Sequence, residues 1–316
     1  MKLAYLYTES ELTPWKENVN NNTLNFLIAN TPAYIDSEVI RFDGFVEDLL
    51  EKLRTFDLVF NLSYGYQEAG QTDVAGWLEY NGILHTASSF EALSIAQDKS
   101  LLPDICSKSG FDTPEVYTNP QELDDDQLYL SKPRKGSCHR NINIENGKWM
   151  KQNLNQEEND LIIQPYIVGR EFSVAVILDE TGRGYISLPP VEIVPEVPAD
   201  IYIAGNSFGK TYRELDPNLT PFHKSQLMFQ ARKLHKMMGL KGISRTDFRM
   251  NDEGKIYTLD VNAMPNMDPE KSLMPALCQH HGVDISDLIN RMIVNSLYSV
   301  EVQNSTLLKE GEMVML

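Results

Sequence analysis

The run Gly242-Ile243-Ser244-Arg245-Thr246-Asp247-Phe248-Arg249-Met250 is followed by Asn251-Asp252-Glu253-Gly254. It continues as Lys255-Ile256-Tyr257-Thr258-Leu259-Asp260-Val261-Asn262. Two apolar-rich runs around a turn sequence predict a β-hairpin with strands Gly242–Met250 and Lys255–Val261. Side chains alternate between the faces of a strand, so Arg245, Asp247 and Arg249 share one face, and Asp260 and Asn262 share one next door. Two carboxylates and an amide oxygen on adjacent strands form a hard-oxygen set suited to Mg²⁺, which takes a few carboxylates plus substrate phosphates. A solvated hairpin face would also carry polar residues at every second position. Here they interrupt strands that are otherwise apolar.

On the N-terminal side of the hairpin, Leu227, Ala231, Leu234 and Met238 mark one face of a helix ending at Gly239. Beyond the hairpin, Leu288, Ile289, Met292, Ile293 and Leu297 form the stripe of a last helix from about Ser286. Pro189, Pro190, Pro195 and Pro198 mark an irregular stretch reaching about Pro221, a length typical of an active-site cover. Strand-like runs at Gln127–Ser131, Leu161–Ile167 and Glu171–Leu178 suggest a small antiparallel lobe. Strands at Lys2–Tyr7 and Phe56–Leu62, with helices at Trp77–Tyr80 and Phe90–Gly110, suggest a parallel α/β unit.

The chain has 316 residues, enough for about two domains or two to three lobes. With 28 Lys+Arg against 45 Asp+Glu its net charge is −17, which disfavours nucleic acid and anionic membranes as partners. No apolar run is long enough to span a bilayer, and the start lacks the pattern of a signal peptide. Cys106, Cys138 and Cys278 are far apart, so neither a disulfide framework nor a zinc site is expected, and a cytoplasmic location is.

Two further segments carry cations. Lys99 follows Gln97-Asp98, and Lys132-Pro133-Arg134-Lys135-Gly136-Ser137 joins lysines to a turn able to bind phosphate. Ala204-Gly205-Asn206-Ser207-Phe208-Gly209-Lys210-Thr211 nearly matches a phosphate-loop pattern. That loop must open a long helix, which Pro217 forbids; Lys210 remains a candidate phosphate ligand. His280-His281 is expected to end a helix, and nothing supplies Cys138 with a base.

Taken in order, these segments resemble the ATP-grasp superfamily, and within it the D-alanine–D-alanine ligases, from about Phe56 to Leu288. The matching motifs are Ala96-Gln97-Asp98-Lys99, Ser131-Lys132-Pro133 with Gly136-Ser137, and Ile163–Val174. Arg245-Thr246-Asp247, Asp260-Val261-Asn262-Ala263-Met264-Pro265 and Ser272-Leu273-Met274-Pro275 complete them. The resemblance implies an ATP-grasp fold, α/β with α+β lobes. Its parts would be an N-terminal parallel α/β substrate domain over 1–95, a small central antiparallel lobe over 96–170, and a C-terminal sheet-plus-helices lobe over 171–316.

It further implies ATP and Mg²⁺ (or Mn²⁺), an acyl-phosphate route from carboxylate and amine to amide, and a homodimer. Lys99, Lys132 and Lys210 would hold phosphates; the main chain of Gln164, Tyr166 and Ile167 would take the adenine and Glu171 the ribose. Asp247, Asp260 and Asn262 would hold metal, Arg245 and Ser137 would serve the reaction, and Ser272 would bind the second substrate's carboxylate. Glu9 or Glu11 would meet the substrate ammonium. Tyr64 stands at the family's His, Asp260 at its metal Glu, Cys138 at its second loop Ser, and Asn266 where it has Gly. Nucleotide positions are kept while substrate positions drift, which leaves amino acids or small peptides as the substrate class. A ligase relative that binds nucleotide without catalysis and a phosphate-loop NTPase using Gly209-Lys210-Thr211 are the alternatives.

Overall fold

The computed structural model describes residues 1–9, 21–66, 70–135, 142–154, 160–197 and 211–298. Near the N-terminus, β1 (Lys2–Tyr7) lies between β2 (Asp36–Arg41) and β3 (Leu58–Asn61), both parallel to it. The connections carry α1 (Asn21–Ala29) and α2 (Glu47–Leu53). Leu3, Ala4, Tyr5 and Leu6 are fully buried, as a central parallel strand covered on both faces requires. β2, whose sequence Asp-Ser-Glu-Val-Ile-Arg leaves alternate residues exposed, is an edge strand that the hydrophobic pattern does not reveal. α3 (Gly70–Tyr80) and α4 (Phe90–Gln97) follow.

The helix expected over Phe90–Gly110 is broken at Asp98. Asp98 takes an extended backbone and its carboxylate accepts the Ser100 N–H; a 3₁₀ turn then leads into α5 (Leu102–Ser107), which has Pro103 in its first turn.

A second, antiparallel sheet sets β4 (Leu128–Pro133) between β5 (Asn143–Asn146) and β6 (Leu161–Pro165). α6 (Gly147–Asn153) contributes Met150 to its small core with Leu123, Tyr129 and Ile163.

The third sheet has the order β10-β9-β7-β11-β12, with β8 (Tyr185–Ser187) on β7 (Arg170–Leu178). β9 (Val191–Pro195) pairs antiparallel with β10 (Thr211–Glu214), so the stretch expected to be irregular contains two strands. Because a strand begins at Thr211, the helix that a phosphate loop would need is absent there. β11 (Ser244–Met250) and β12 (Ile256–Asn262) form the expected hairpin.

α7 (Pro221–Met237) starts with the Thr220 hydroxyl accepting the His223 N–H and with Pro221 at its first position. Its Leu227 and Ala231 pack on Phe172, Val174, Val176, Phe248 and Met250. Each such large side chain contributes about 1.5–3 kcal/mol of burial. α8 (Leu273–His280) ends at His280 as expected, and α9 spans 285–298. Leu288, Ile289, Met292 and Ile293 of α9 join Leu3 and Tyr5 to Ala175 and Ile177, which ties the parallel sheet to the large one. Among the described residues, no helix is long and apolar enough to cross a membrane.

Candidate active site

The face of the large sheet opposite α7 carries the polar residues of the hairpin. Asp247 pairs across the ladder with Asp260, and Arg245 with Asn262. On the other side, Asp247 faces Ser173 and Arg249 faces Glu171. Pairing then steps from Asp247–Asp260 to Phe248–Thr258, which leaves Leu259 as a bulge. The bulge keeps Asp260 and Asn262 in line with Asp247 and Arg245.

Arg245 grips Asp247 in a fork, Nε to Oδ1 at 2.9 Å and Nη2 to Oδ2 at 2.8 Å, and the Ser173 hydroxyl donates to Oδ1 at 2.5 Å. Burial works against the Arg245 charge. Asp247, with Asp260 and Glu171 behind it, more than offsets that and holds the guanidinium above its ordinary range.

The small sheet lies across from this face. Lys132 on β4 donates to the carbonyl of the bulged Leu259 at 3.2 Å. Burial pushes its ammonium down to about 8, against the pull of Asp260, Asp247 and Glu171 and with the added repulsion of Lys99. Lys99 is fixed to the end of β4, because its N–H donates to the Arg134 carbonyl at 3.0 Å. The flanking Asp98 accepts Arg134 Nη1 at 2.8 Å. Two lysines and two carboxylates far apart in sequence thus come together between the two sheets.

Residues 166–169 link the two sheets. Gly169, with φ +146°, lies so close to the hairpin that a Cβ would come within 2.2 Å of the Met250 carbonyl oxygen. Arg249 holds this link: Nη1 donates to the Tyr166 hydroxyl at 2.6 Å and the Ile167 carbonyl at 2.9 Å, while Nη2 donates to Glu171 at 2.9 Å. Its guanidinium also stacks over the Tyr166 ring, 4.7 Å from the centroid. Glu171, expected at the ribose, is therefore buried in an ion pair with Arg249. Gln164 is buried, its amide donating to the Pro114 carbonyl at 3.3 Å. Strand alternation puts Arg249 on the right face, but no motif signals this clamp.

The hairpin leads into a turn gripped by the N-terminal unit. The Asn262 amide oxygen accepts the Met264 N–H at 3.0 Å, and the Tyr64 hydroxyl donates to the Met264 carbonyl at 2.5 Å. Asn266 accepts the Asp268 N–H at 2.9 Å. Tyr64 and Asn266 line one cavity of about 40 Å³, together with Asn61, Thr86 and Lys241. Ser272 is the N-cap residue of α8. Glu9 is paired with Arg41 at 3.4 Å. Glu11, Ser137, Cys138 and Lys210 lie outside the described residues.

Cys106 and Cys278 are buried, and burial pushes their thiols up to about 11 and about 12, so neither is activated. Among the described residues, no group of three or more His, Cys, Asp or Glu side chains is placed to hold a metal. What the hairpin offers instead is two carboxylates and an amide, a set that suits a hard ion sharing phosphate oxygens.

Comparison with known proteins gives this arrangement a family. The D-ala D-ala ligase C-terminus family matches residues 140–294. The D-alanine–D-alanine ligase of Aquifex aeolicus is 30% identical over 250 residues, covering 75% of this chain and 81% of the relative. That of Rhizobium meliloti is 29% identical over 269 residues, covering 78% and 83%. The crystal structure of the Bacillus anthracis D-alanine–D-alanine ligase complexed with ATP superposes with a TM-score of 0.73 at 22% identity, covering 96% of this chain and 99% of that one. The VanG D-Ala:D-Ser ligase of Enterococcus faecalis gives 0.74 at 17% identity, covering 93% and 99%. The fold is therefore that of the ATP-grasp ligases, and the chain belongs to the D-alanine–D-alanine ligase family of ATP-dependent, ADP-forming enzymes.

Proposed function

We propose that the protein joins the carboxylate of one amino acid or short peptide to the amine of another. In the first step a carboxylate oxygen attacks the γ-phosphorus of ATP, the bond to the β,γ-bridging oxygen breaks, and ADP leaves an acyl phosphate. In the second the amine attacks the acyl carbon, loses a proton, and expels inorganic phosphate as the amide forms. The observation that carries this reading is the approach of Lys132 and Lys99 to the Asp247–Asp260 pair. Cations able to hold phosphate and carboxylates able to hold a divalent ion meet there on two facing sheets.

Lys132 and Lys99 neutralise phosphate charge, and Lys210 adds to them. The segment from Gln164 to Ile167 receives the adenine, with Glu171 toward the ribose and Arg249 fixing both. Arg245 stabilises the oxyanion formed when the amine attacks. Asp247, Asp260 and Asn262 would hold Mg²⁺, which would supply further neutralisation of the transferring phosphoryl group. Ser272, Tyr64 and Asn266 shape the amino-acid sites, and Glu11 and Ser137 complete them. D-Alanine pairs are one candidate; the altered substrate positions leave other amino acids equally open.

The test is ADP release from ATP and Mg²⁺ against D- and L-amino acids, singly and in pairs, with mass spectrometry of the product. Amino-acid-dependent release with a condensation product is expected. ATP hydrolysis indifferent to every amino acid would overturn the ligation chemistry proposed here.

A further inference from the structure

The cavity of about 40 Å³ lies where the N-terminal unit meets the large sheet. Its walls are mostly apolar, with Phe60 and Leu62 on one side and Met264, Met267 and Met292 among the rest. Asn61 also lines it and is only 4% exposed. Its amide oxygen accepts the Ser63 N–H at 3.0 Å, which fixes the orientation of the amide. Among the described residues, nothing accepts from the amide nitrogen. Beside it, the Thr86 hydroxyl oxygen accepts the Asn61 N–H at 3.2 Å and so keeps its own proton to donate. Resting on the ligase reading above, we propose that this cavity receives the side chain of the amino acid whose carboxylate is phosphorylated. It favours a small side chain ending in an oxygen that accepts hydrogen bonds, the hydroxymethyl group of serine being the smallest.

Position ties the cavity to the reaction. Residues Ala263, Met264, Pro265 and Asn266 form one wall and follow directly on Asn262, whose amide oxygen accepts the Met264 N–H at 3.0 Å. The Tyr64 hydroxyl holds the same wall by donating to the Met264 carbonyl. The ligase reading puts the transferring phosphoryl group at Asp260 and Asn262, so the carboxylate that attacks it lies within a few residues of this wall. Chemistry then decides what fits. A buried donor left unpaired costs about 1–3 kcal/mol, so an occupant that brings an acceptor is favoured over a methyl group of the same size. At roughly 10–15 Å³ for each water-sized group, the volume admits about three such groups, which excludes long side chains. Lys241 is the one charged residue in the lining, and its sign disfavours a side chain carrying an amine.

The experiment offers the full chain, with ATP and Mg²⁺, a fixed acceptor (alanine) and a choice of donors: alanine, serine and 2-aminobutyrate, each as both enantiomers. Fragmentation mass spectrometry reads which residue is N-terminal in the dipeptide. 2-Aminobutyrate replaces the serine hydroxyl with a methyl group of nearly the same size. The wild type should prefer serine to 2-aminobutyrate at the N-terminal position by about tenfold in kcat/KM. Asn61→Leu nearly keeps the volume and removes the donor, and Thr86→Val does the same beside it; each should bring that ratio to about one or below. Both donors meet the same protein, so any loss of folded enzyme cancels from the ratio. A wild-type ratio near one, exclusion of serine from the N-terminal position, or a ratio unchanged in both variants would overturn the proposal. If the wild type releases no ADP with any amino acid, the ligase reading itself fails, a result visible before any donors are compared.

Discussion

β7, β11 and β12 present two faces on one set of backbones, and the faces have opposite chemistry. Toward α7 stand Phe172, Val174, Val176, Phe248 and Met250, nearly all without solvent contact. Toward the small sheet stand Glu171, Ser173, Arg245, Asp247 and Arg249, tied together by ion pairs and hydrogen bonds. The apolar face gains stability from area removed from water and tolerates any well-packed substitute of similar volume. The charged face gains little net stability from its ion pairs, because desolvation offsets attraction, but those pairs fix the positions of its polar atoms. A substitution on one face should therefore act on stability and on the other on turnover.

The largest effect is expected from Phe248→Ala. It removes a fully buried ring beneath α7 and should cost about 3–5 kcal/mol in denaturant unfolding, while the folded fraction keeps its KM for ATP. A loss of specific activity at full folding would break the division between the faces.

One position away, Asp247→Asn keeps the volume and removes the charge. It should lower kcat of the folded enzyme by about 10²- to 10³-fold, beyond any fall in melting temperature that follows from leaving the Arg245 charge without its partner. Turnover near that of the wild type would remove Asp247 from the metal and phosphate chemistry.

His235 sharpens the comparison, because it is a polar residue on the apolar side. It is fully buried on α7, with Nδ1 2.7 Å from the Ser244 hydroxyl and its ring 4.2 Å from that of Tyr185. Burial pushes its pKa from 6.5 down to about 4. Between those values the unfolded chain takes up a proton that the folded chain refuses. Stability is therefore complete above about pH 6.5 and falls as the pH drops toward 4, by about 3 kcal/mol in all. Unfolding free energies across that range should lose this share of their slope in His235→Gln. An unchanged slope would assign the pH dependence to other groups.

The two faces were also unequally legible. Period-2 alternation puts Arg245, Asp247 and Arg249 together, and the Asn-Asp-Glu-Gly turn sets the hairpin, because both signals are local. The bulge at Leu259 has no local signature, and the Lys132 contact made there depends on how one sheet packs against another. β2 escaped because an edge strand of mixed polarity leaves no apolar run. At Asp98 the cap on Ser100 and Pro103 beyond it are local signals of the break, whereas the Arg134 ion pair that accompanies them is a tertiary contact.

Arg249 is where that limit matters most for function, and its effect is expected to be the smallest of the four. The sequence puts it on the charged face but cannot tell a surface arginine from one that spends three donor contacts on Tyr166, Ile167 and Glu171. Arg249→Lys keeps the charge but loses the planar fork, so it cannot serve all three acceptors at once. If the segment from Gln164 to Ile167 receives the adenine, KM for ATP should rise about tenfold, with kcat at saturating ATP and KM for the amino acids little changed. Glu171 would then be free to turn, so 2′-deoxy-ATP and ATP should be discriminated differently by the variant and the wild type. A variant with unchanged KM for ATP but lower unfolding free energy would instead give Arg249 the kind of role held by the residues beneath α7, and the line between the faces would have to be redrawn to end at Asp247.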